Sequence, residues 1–433
     1  MTSRIKVVHL TPHLGGGIGK TLLALAGAQQ GSAFEHAFVL LEHPEKTLFL
    51  DGLKQLGCTV DIAANGEIDS IKSILAEADI VQLEWWNHPA TFTFLCGTDL
   101  PPMRLLVWSH VSGLHTPVIP AGLIESAGRF VFSSSCSLES PAIMALDAGT
   151  RARTGFVHSG VGLNAPAPRS DKRIPALRTG YIGSLNFSKL HPRIVDYLAA
   201  VDLPDFTLRV WGDVQNRQQL HDECRRRDKD GLITFEGFTE DVAASLAHLD
   251  VLAYLLNPAH YGTGENALIE AMSAGVIPVV LNNPAERAII EHGRTGLIVD
   301  SPREFAAAIR WLADHPDERH SIGENARAEA ARRFSPASLG GAMAQQYQQV
   351  LADDKRTANF RSILGDTPAD WFLSCQAAGR DFAGQLPALA HDTLARHGLH
   401  ETSKGSLRHF LNRFPDDPQL REWQRLCAEE VRP

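Results

Sequence analysis

A carboxylate on a helix, and a row of glycines just before it, are the parts of this chain best suited to chemistry. The stretch from Leu249 to Asn283 reads LDVLAYLLNPAHYGTGENALIEAMSAGVIPVVLNN, with Gly262, Thr263 and Gly264 running straight into a helix expected from about Glu265 to Ala274. Such a loop leaves several backbone N–H groups unpaired and aimed one way. With the positive end of the helix dipole they make a seat for phosphate. Asn266, Glu270 and Ser273 fall at i, i+4 and i+7, a polar stripe on an otherwise apolar helix. Leu268, Ile269, Ala271 and Met272 flank Glu270, so its carboxylate is expected near a packed surface and in need of a partner. A solvated helix face is the alternative reading of that stripe.

Apolar strands must hold this loop and helix, one near Asp250–Leu256 and one at Val276–Leu281. The same rhythm of short strand and helix fills most of the chain. In the first half strands are expected near Ile5–Leu10, Ala37–Leu41, Ile80–Leu83, Leu105–Ser109, Phe130–Ser133 and Gly155–His158. Asn164–Arg178, rich in proline and charge, reads as a linker. The rhythm restarts at Thr179–Ile182, Thr207–Trp211, Ile233–Phe235, Val251–Leu255, Ile277–Leu281 and Gly296–Val299. Alternation of this kind calls for an α/β chain with two parallel sheets flanked by helices. A two-domain binding protein or a dehydrogenase would show it too.

At 433 residues, 44% hydrophobic and 21% charged, the chain has the make-up of a globular protein with full cores. A formal net charge of −9 argues against nucleic-acid binding. The six cysteines are dispersed, with no C-x-x-C pair, which points to reduced thiols and a cytoplasmic setting. No signal-peptide pattern opens the sequence, and no run approaches the roughly 18 apolar residues of a membrane span. Peripheral membrane contact and a homo-oligomer both remain compatible with this composition.

Glu270-Ala271-Met272-Ser273-Ala274-Gly275, followed by Pro278-Val279-Val280, resembles the donor site of retaining glycosyltransferases with the GT-B fold, family 4 in particular. That family's pattern has a first glutamate eight positions earlier; Gly262 stands there, and Glu265 is the nearest upstream acid. The resemblance implies two Rossmann-like domains with parallel sheets facing across a cleft, divided as residues 1–165 on the acceptor side and 166–335 on the nucleotide-sugar side. It also implies that the helix within 336–354, read at Ala337–Leu351, crosses back to the first domain. Residues 355–433 lie beyond the resemblance. Their Trp371, Phe372, Phe382, Phe410, Phe414 and Trp423 are too many aromatics for a disordered linker, so an ordered helical extension is expected, either a buttress or an element shaping the acceptor side.

Other stretches take their reading from the same resemblance. His9–Thr21 (HLTPHLGGGIGKT) imitates a phosphate-binding loop, but Leu14 stands where a P-loop ATPase needs its first glycine. Gly16, Gly17, Gly19 and Lys20 fit the family's Gly-Gly-x-Gly loop instead, and glycines after a strand let backbone approach an anion. In Thr179–Pro192, Gly183 and Lys189 match a Gly-Arg-x-x-x-x-Lys segment that holds the donor diphosphate, while Ser184 replaces the arginine. His110 ends a strand where the family often turns a histidine toward the donor sugar; a structural histidine is the alternative. Glu84-Trp85-Trp86-Asn87-His88 ends another strand, and Glu84, Trp85, Asn87 and His88 suit stacking and hydrogen bonding to an acceptor, against ordinary core packing. Asp228-Lys229-Asp230, after three arginines at a helix end, reads as a solvated turn, and no metal is implied.

The resemblance therefore implies transfer of a sugar from a nucleoside-diphosphate donor, UDP- or GDP-linked, to a hydroxyl acceptor with retention and without a further cofactor. His110, Lys189 and Glu270 are its catalytic candidates. Gly262, Thr263, Gly264, Glu265 and Asn266 would join the glycine loop and Gly183–Ser184 around the donor. A GT-B protein that binds a nucleotide sugar or glycan without transferring it is the second reading, supported by Gly262 and Ser184.

Overall fold

The computed structural model describes residues 4–63, 68–161, 177–213 and 215–430. Among them two units separate, each with its own core. The first comprises residues 1–160, 261–264 and 336–433; the second comprises 161–260 and 265–335. The expected linker Asn164–Arg178 lies outside the described residues except for its last two positions.

In the first unit the strands are β1 (Ile5–Thr11), β2 (Phe34–Leu40), β3 (Thr59–Ile62), β4 (Ile80–Trp85), β5 (Leu105–Ser109), β6 (Arg129–Phe132) and β7 (Thr154–Phe156). Among the described residues they form one parallel sheet in the order β3-β2-β1-β4-β5-β6-β7. The sequence pattern gives no warning of β3. Its alternation of exposed and half-buried residues is that of an edge strand, too little apolar surface to register as a core strand. The chain runs outward from β1 to β2 and β3, then returns to the other side of β1 as β4. That reversal puts a crevice at the carboxyl ends of β1 and β4, where ligands bind in open parallel sheets.

The second unit repeats the plan with β8 (Thr179–Ile182), β9 (Leu208–Trp211), β10 (Ile233–Gly237), β11 (Val251–Tyr254), β12 (Ile277–Leu281) and β13 (Leu297–Val299). The order is β10-β9-β8-β11-β12-β13, again all parallel among the described residues. Its reversal lies between β8 and β11. The loops after those two strands, which carry Lys189 and Glu265, therefore meet. Both units are Rossmann-like, as α/β alternation requires.

Chain beyond the second unit returns to the first. The helix Pro336–Leu351 buries Leu339, Met343, Tyr347 and Val350 in the first core. The C-terminal portion is helical, with helices at Phe360–Leu364, Pro368–Ser374, Phe382–His391, Leu407–Arg413 and Pro418–Glu430. Trp371, Phe372, Phe382, Phe410 and Trp423 are buried in that same core, the last four in edge-to-face and tilted contacts 5.1–5.6 Å apart. Aromatic burial on this scale dominates the energetics of such a packed element. No helix of the described residues is long and apolar enough to cross a membrane.

Candidate functional site

Glu265 organises the reversal point of the second unit. It sits just ahead of the helix Asn266–Ser273 with φ of 35°, a left-handed conformation that costs a non-glycine residue energy and is held only by its surroundings. Those surroundings are three polar side chains. Lys189 Nζ donates to both carboxylate oxygens at 3.1 and 2.9 Å, Tyr254 donates its hydroxyl at 2.6 Å, and His260 Nδ1 lies 3.8 Å away. The Glu265 side chain is completely buried, Lys189 largely so. Burial pushes the carboxyl up, but the Lys189 ammonium, His260 and the Tyr254 hydroxyl outweigh it and hold its pKa down at about 2. Tyr254 pays the reverse: burial and the neighbouring carboxylate raise its phenol well above the ordinary value. His260 continues to the buried Glu286 at 3.3 Å, which Asn283 also contacts.

The Lys189 loop is itself pinned. Asn257 donates its backbone N–H to the Lys189 carbonyl and its side-chain amide to the Phe187 carbonyl, both at 2.8 Å. Ser184 donates to Asp213 at 2.7 Å and accepts from Asn186, and Tyr181 donates to the Ser184 carbonyl. Ser184 thus ties its loop together where the family's arginine would stand. Gly183 follows β8 and donates its N–H to the Trp211 carbonyl, and the Gly212 N–H donates to the Gly237 carbonyl. Glu270 is 4% exposed on the helix Asn266–Ser273, as the flanking apolar residues led us to expect, with Ser273 turned back onto the Ile269 carbonyl. Asn266 opens the helix. Gly262 and Gly264 lead into it, and Thr263 Oγ1 between them is buried without a hydrogen-bond partner among the described residues.

At the reversal point of the first unit, period-two geometry puts His36, His9, Gln82 and Glu84 on one face of the sheet, since His36 pairs with Val7 and His9 with Gln82. They form a continuous buried chain. Glu84 Oε2 meets His110 Nε2 at 2.7 Å; Glu84 Oε1 meets His9 Nδ1 at 2.9 Å and Gln82 Nε2 at 2.7 Å. His9 Nε2 meets His36 Nδ1 at 2.8 Å, and His36 Nε2 meets Gln29 Oε1 at 2.8 Å. Both ends reach the helix Pro336–Leu351: Gln29 donates to the Gly340 carbonyl at 2.7 Å, and Tyr347 donates to Gln82 at 2.6 Å. Burial lowers the His9 pKa to about 3, lowers His36 well below its usual value with help from His9, lowers His110 against the pull of Glu84, and raises Glu84.

This geometry corrects part of the acceptor expectation. Glu84, Trp85 and Asn87 have no exposure: Glu84 is spent on His9 and His110, and Trp85 packs edge-on against Phe92 at 5.1 Å. Neither can touch an acceptor, because both sit on β4 inside the unit. His88 is 8% exposed, lies 4.8 Å from His409 and 5.3 Å from His13, and is pushed down to about 2 by burial and then by those imidazoles and Arg413. Lys404 donates to the His110 carbonyl at 3.3 Å and holds its ammonium 5.9 Å from the Trp86 ring and 5.8 Å from that of Tyr261. The C-terminal helices therefore stand directly against the loops after β4 and β5. Gly405 makes the approach possible: its φ is +68°, and a Cβ there would come within 2.9 Å of Asn87 Cβ.

The glycine loop forms the first turn of the helix Gly16–Ala28, with Gly16 and Gly17 exposed. Gly19 is needed for packing, since a Cβ would fall 2.0 Å from the Leu14 carbonyl oxygen. Among the described residues no group of three His, Cys, Asp or Glu side chains is placed to hold a metal ion. Asp228 and Asp230 lie in the exposed turn after the helix Arg217–Arg226.

Sequence reading passed over His9, His36, Gln29, Gln82, Tyr254, His260 and Glu286. A signal was present in the strands: His9 and His36, and Gln82 with Glu84 at alternate positions, put polar side chains in runs that should be apolar on both faces. Tyr254 and His260 carry no local signal, because their partner arrives from a different loop.

Residues 173–329 match the family described as glycosyl transferases group 1. The lipopolysaccharide core biosynthesis glycosyltransferase LpsE of Rhizobium meliloti (strain 1021) is 26% identical over 156 residues, which are 36% of this chain and 44% of that protein. The D-inositol 3-phosphate glycosyltransferase of Corynebacterium kroppenstedtii is 29% identical over 114 residues, 26% of this chain and 24% of that protein. The matched stretches thus span less than half the length of either relative. Anabaena Alr3699/HepE, solved in complex with UDP and glucose, superposes with a TM-score of 0.60 over 80% of this chain and 100% of its own, at 18% identity. The chain thus has a GT-B fold, and its residues 173–329 are similar to group 1 glycosyl transferases.

Proposed function

We propose that this protein transfers a sugar from a nucleoside-diphosphate sugar, UDP- or GDP-linked, to a hydroxyl of a glycan, a lipid-linked or a small-molecule acceptor, with retention and without a metal. The observation that carries the reading is the reversal point of the second unit, where the Glu270 helix opens beside a buried Lys189–Glu265–Tyr254 cluster. A carboxylate at Glu270 would accept hydrogen bonds from ribose hydroxyls, a charge-assisted pairing that orients a donor. Backbone amides at the start of that helix, with Lys189, would stabilise negative charge on the departing diphosphate. Likeness to HepE, solved with UDP and glucose, supports a nucleotide-sugar donor. In the first unit His110 and His88 are the groups offered to sugar hydroxyls. The six free cysteines support a cytoplasmic setting.

One observation favours the second reading, a protein that binds a nucleotide sugar without turning it over. Lys189 already satisfies a buried carboxylate, so less of its charge is available to a leaving diphosphate. Donor hydrolysis measured with and without acceptor separates the two.

The test is a thermal-shift panel of UDP-, GDP- and ADP-sugars on the wild type and on Glu270→Ala. A donor at 100 times its Kd stabilises by about 2.7 kcal/mol. We expect one nucleotide class to raise Tm in the wild type and to lose that effect in Glu270→Ala. A panel without any shift in the wild type overturns the reading.

A further inference from the structure

The polar chain around Glu84 closes only if it holds a proton that an ionised glutamate and three neutral imidazoles do not supply. Gln29 Nε2 faces the Gly340 carbonyl at 2.7 Å, and a carbonyl only accepts. The amide is thereby oriented, Gln29 Oε1 faces His36 Nε2 at 2.8 Å, and His36 must carry its hydrogen there. A neutral His36 then turns a bare Nδ1 toward His9 Nε2 at 2.8 Å, so the hydrogen of that contact belongs to His9. A neutral His9 in turn presents a bare Nδ1 to Glu84 Oε1 at 2.9 Å. That last hydrogen can come only from the carboxyl. Glu84 Oε2 remains to accept from His110 Nε2 at 2.7 Å.

With Glu84 ionised and all three imidazoles neutral, one of these contacts would oppose two lone pairs at under 3 Å. The alternative is an imidazolium on His9 or His36 beside an ionised Glu84. Every member is buried, from 0% exposure at His9 and Glu84 to 8% at His110. The groups facing Glu84 are His9 on β1, Gln82 on its own strand, His110 after β5 and, beyond Gln82, the Tyr347 hydroxyl. None of them is a lysine or arginine. Separated charge in such surroundings costs more than a neutral hydrogen-bonded chain.

We propose that Glu84 is a protonated carboxylic acid and a positioning residue, which fixes His110 as its Nε2–H tautomer and leaves Nδ1 as a hydrogen-bond acceptor. His110 Nδ1 makes no hydrogen bond among the described residues. Under the glycosyl-transfer reading, on which only this last step rests, the lone pair receives a sugar hydroxyl. An imidazolium, or the Nδ1–H tautomer, would present a donor there instead. Burial acts in the same direction, raising Glu84 and lowering His9 and His36.

The experiment is long-range ¹H–¹⁵N correlation of the histidine rings in the full chain, without donor or acceptor, between about pH 5 and 8, where free histidine titrates. His36→Gln and His110→Gln supply assignments. We expect His9, His36 and His110 as neutral Nε2–H rings that do not titrate over this range. A cationic ring at His9 or His36, or an Nδ1–H ring at His110, overturns the proposal. Infrared difference spectra between wild type and Glu84→Gln give an independent reading: loss of a carboxylic-acid carbonyl band is expected, and loss of carboxylate bands instead would overturn it. Neither measurement needs sugar transfer, so a failure here is distinct from a failure of the proposed function.

Discussion

Glu84 and Glu265 each stand at the reversal point of their own parallel sheet, and each has no exposed side-chain surface. Their environments drive them in opposite directions. Burial raises Glu84, and the imidazole and amide hydrogens around it do not offset that. Burial would raise Glu265 too, but an ammonium at 2.9 Å and a phenol at 2.6 Å bring it down to about 2. Depth alone does not set the charge of a buried carboxyl; a formal cation within hydrogen-bond reach does. The two units thus hold one neutral and one ionised carboxyl, Glu84 within β4 and Glu265 in the loop after β11, each at the reversal point of its sheet.

Removing that cation is the largest way to break the comparison. Lys189→Met keeps the stem length and deletes the charge, leaving Glu265 ionised and uncompensated, or forcing it to take up a proton. Breaking one side of a buried pair costs about 3–5 kcal/mol. Urea unfolding of the purified variant should show a loss of that order, part of it recovered in the Lys189→Met/Glu265→Gln double variant. A loss under about 1 kcal/mol, typical of an exposed pair, would mean that water reaches the cluster and that the contrast with Glu84 is one of geometry only.

The second test sharpens the contrast through its sign. Glu265 is depressed from 4.5 to about 2, so its contribution is complete above pH 4.5 and is lost as pH falls through about 2. Glu84 is raised from 4.5, so its contribution is complete below pH 4.5 and is lost as pH rises through the folded value. Relative to wild type, Glu265→Gln should therefore lose ground as pH rises toward 4.5, while Glu84→Gln should gain ground above it. Stability curves of both variants across acid and neutral pH check this. Parallel slopes would show that the two carboxyls share a charge state. Wild type should also weaken between neutral pH and pH 4, because His9 and His409, lowered from 6.5 to about 3 and 4, are neutral when folded and take up protons when unfolded.

How much of this was legible before the structure follows from where partners sit in the chain. The alternation of strands was readable because each apolar run is local, and Glu270 was readable because its flanking residues are adjacent. Its burial at 4% agrees with that reading. Glu265 is marked in the sequence as the nearest acid to an empty family position and as one residue of the loop placed around the donor. Its tie to Lys189, 76 positions earlier, exists only because the β8–β11 reversal joins two loops. His9, His36 and Gln29 carried no family motif, and their chain depends on parallel register. Trp85 shows the converse: its residue type suits stacking on sugar as well as core packing, and because β4 is buried on both faces it packs in the core against Phe92.

The smallest test concerns the branch through which the helix Pro336–Leu351 reaches Glu84. Tyr347→Phe removes one hydroxyl, which donates to Gln82 Oε1 at 2.6 Å. The ring still packs against Phe34 at 5.0 Å, so no cavity opens, and the Gln82 amide can still donate to Glu84. One buried hydrogen bond contributes about 0.5–1.5 kcal/mol, and a stability loss of about 1 kcal/mol by urea unfolding is expected. The five contacts that orient His110, from Gly340 through Gln29, His36, His9 and Glu84, do not pass through Tyr347. Ring NMR of Tyr347→Phe should therefore show His110 unchanged, whereas Gln29→Leu, which deletes the acceptor at the far end, should release His36 from its tautomer. A His110 tautomer altered by Tyr347→Phe would move the control of Glu84 from the imidazole chain to the Gln82 branch.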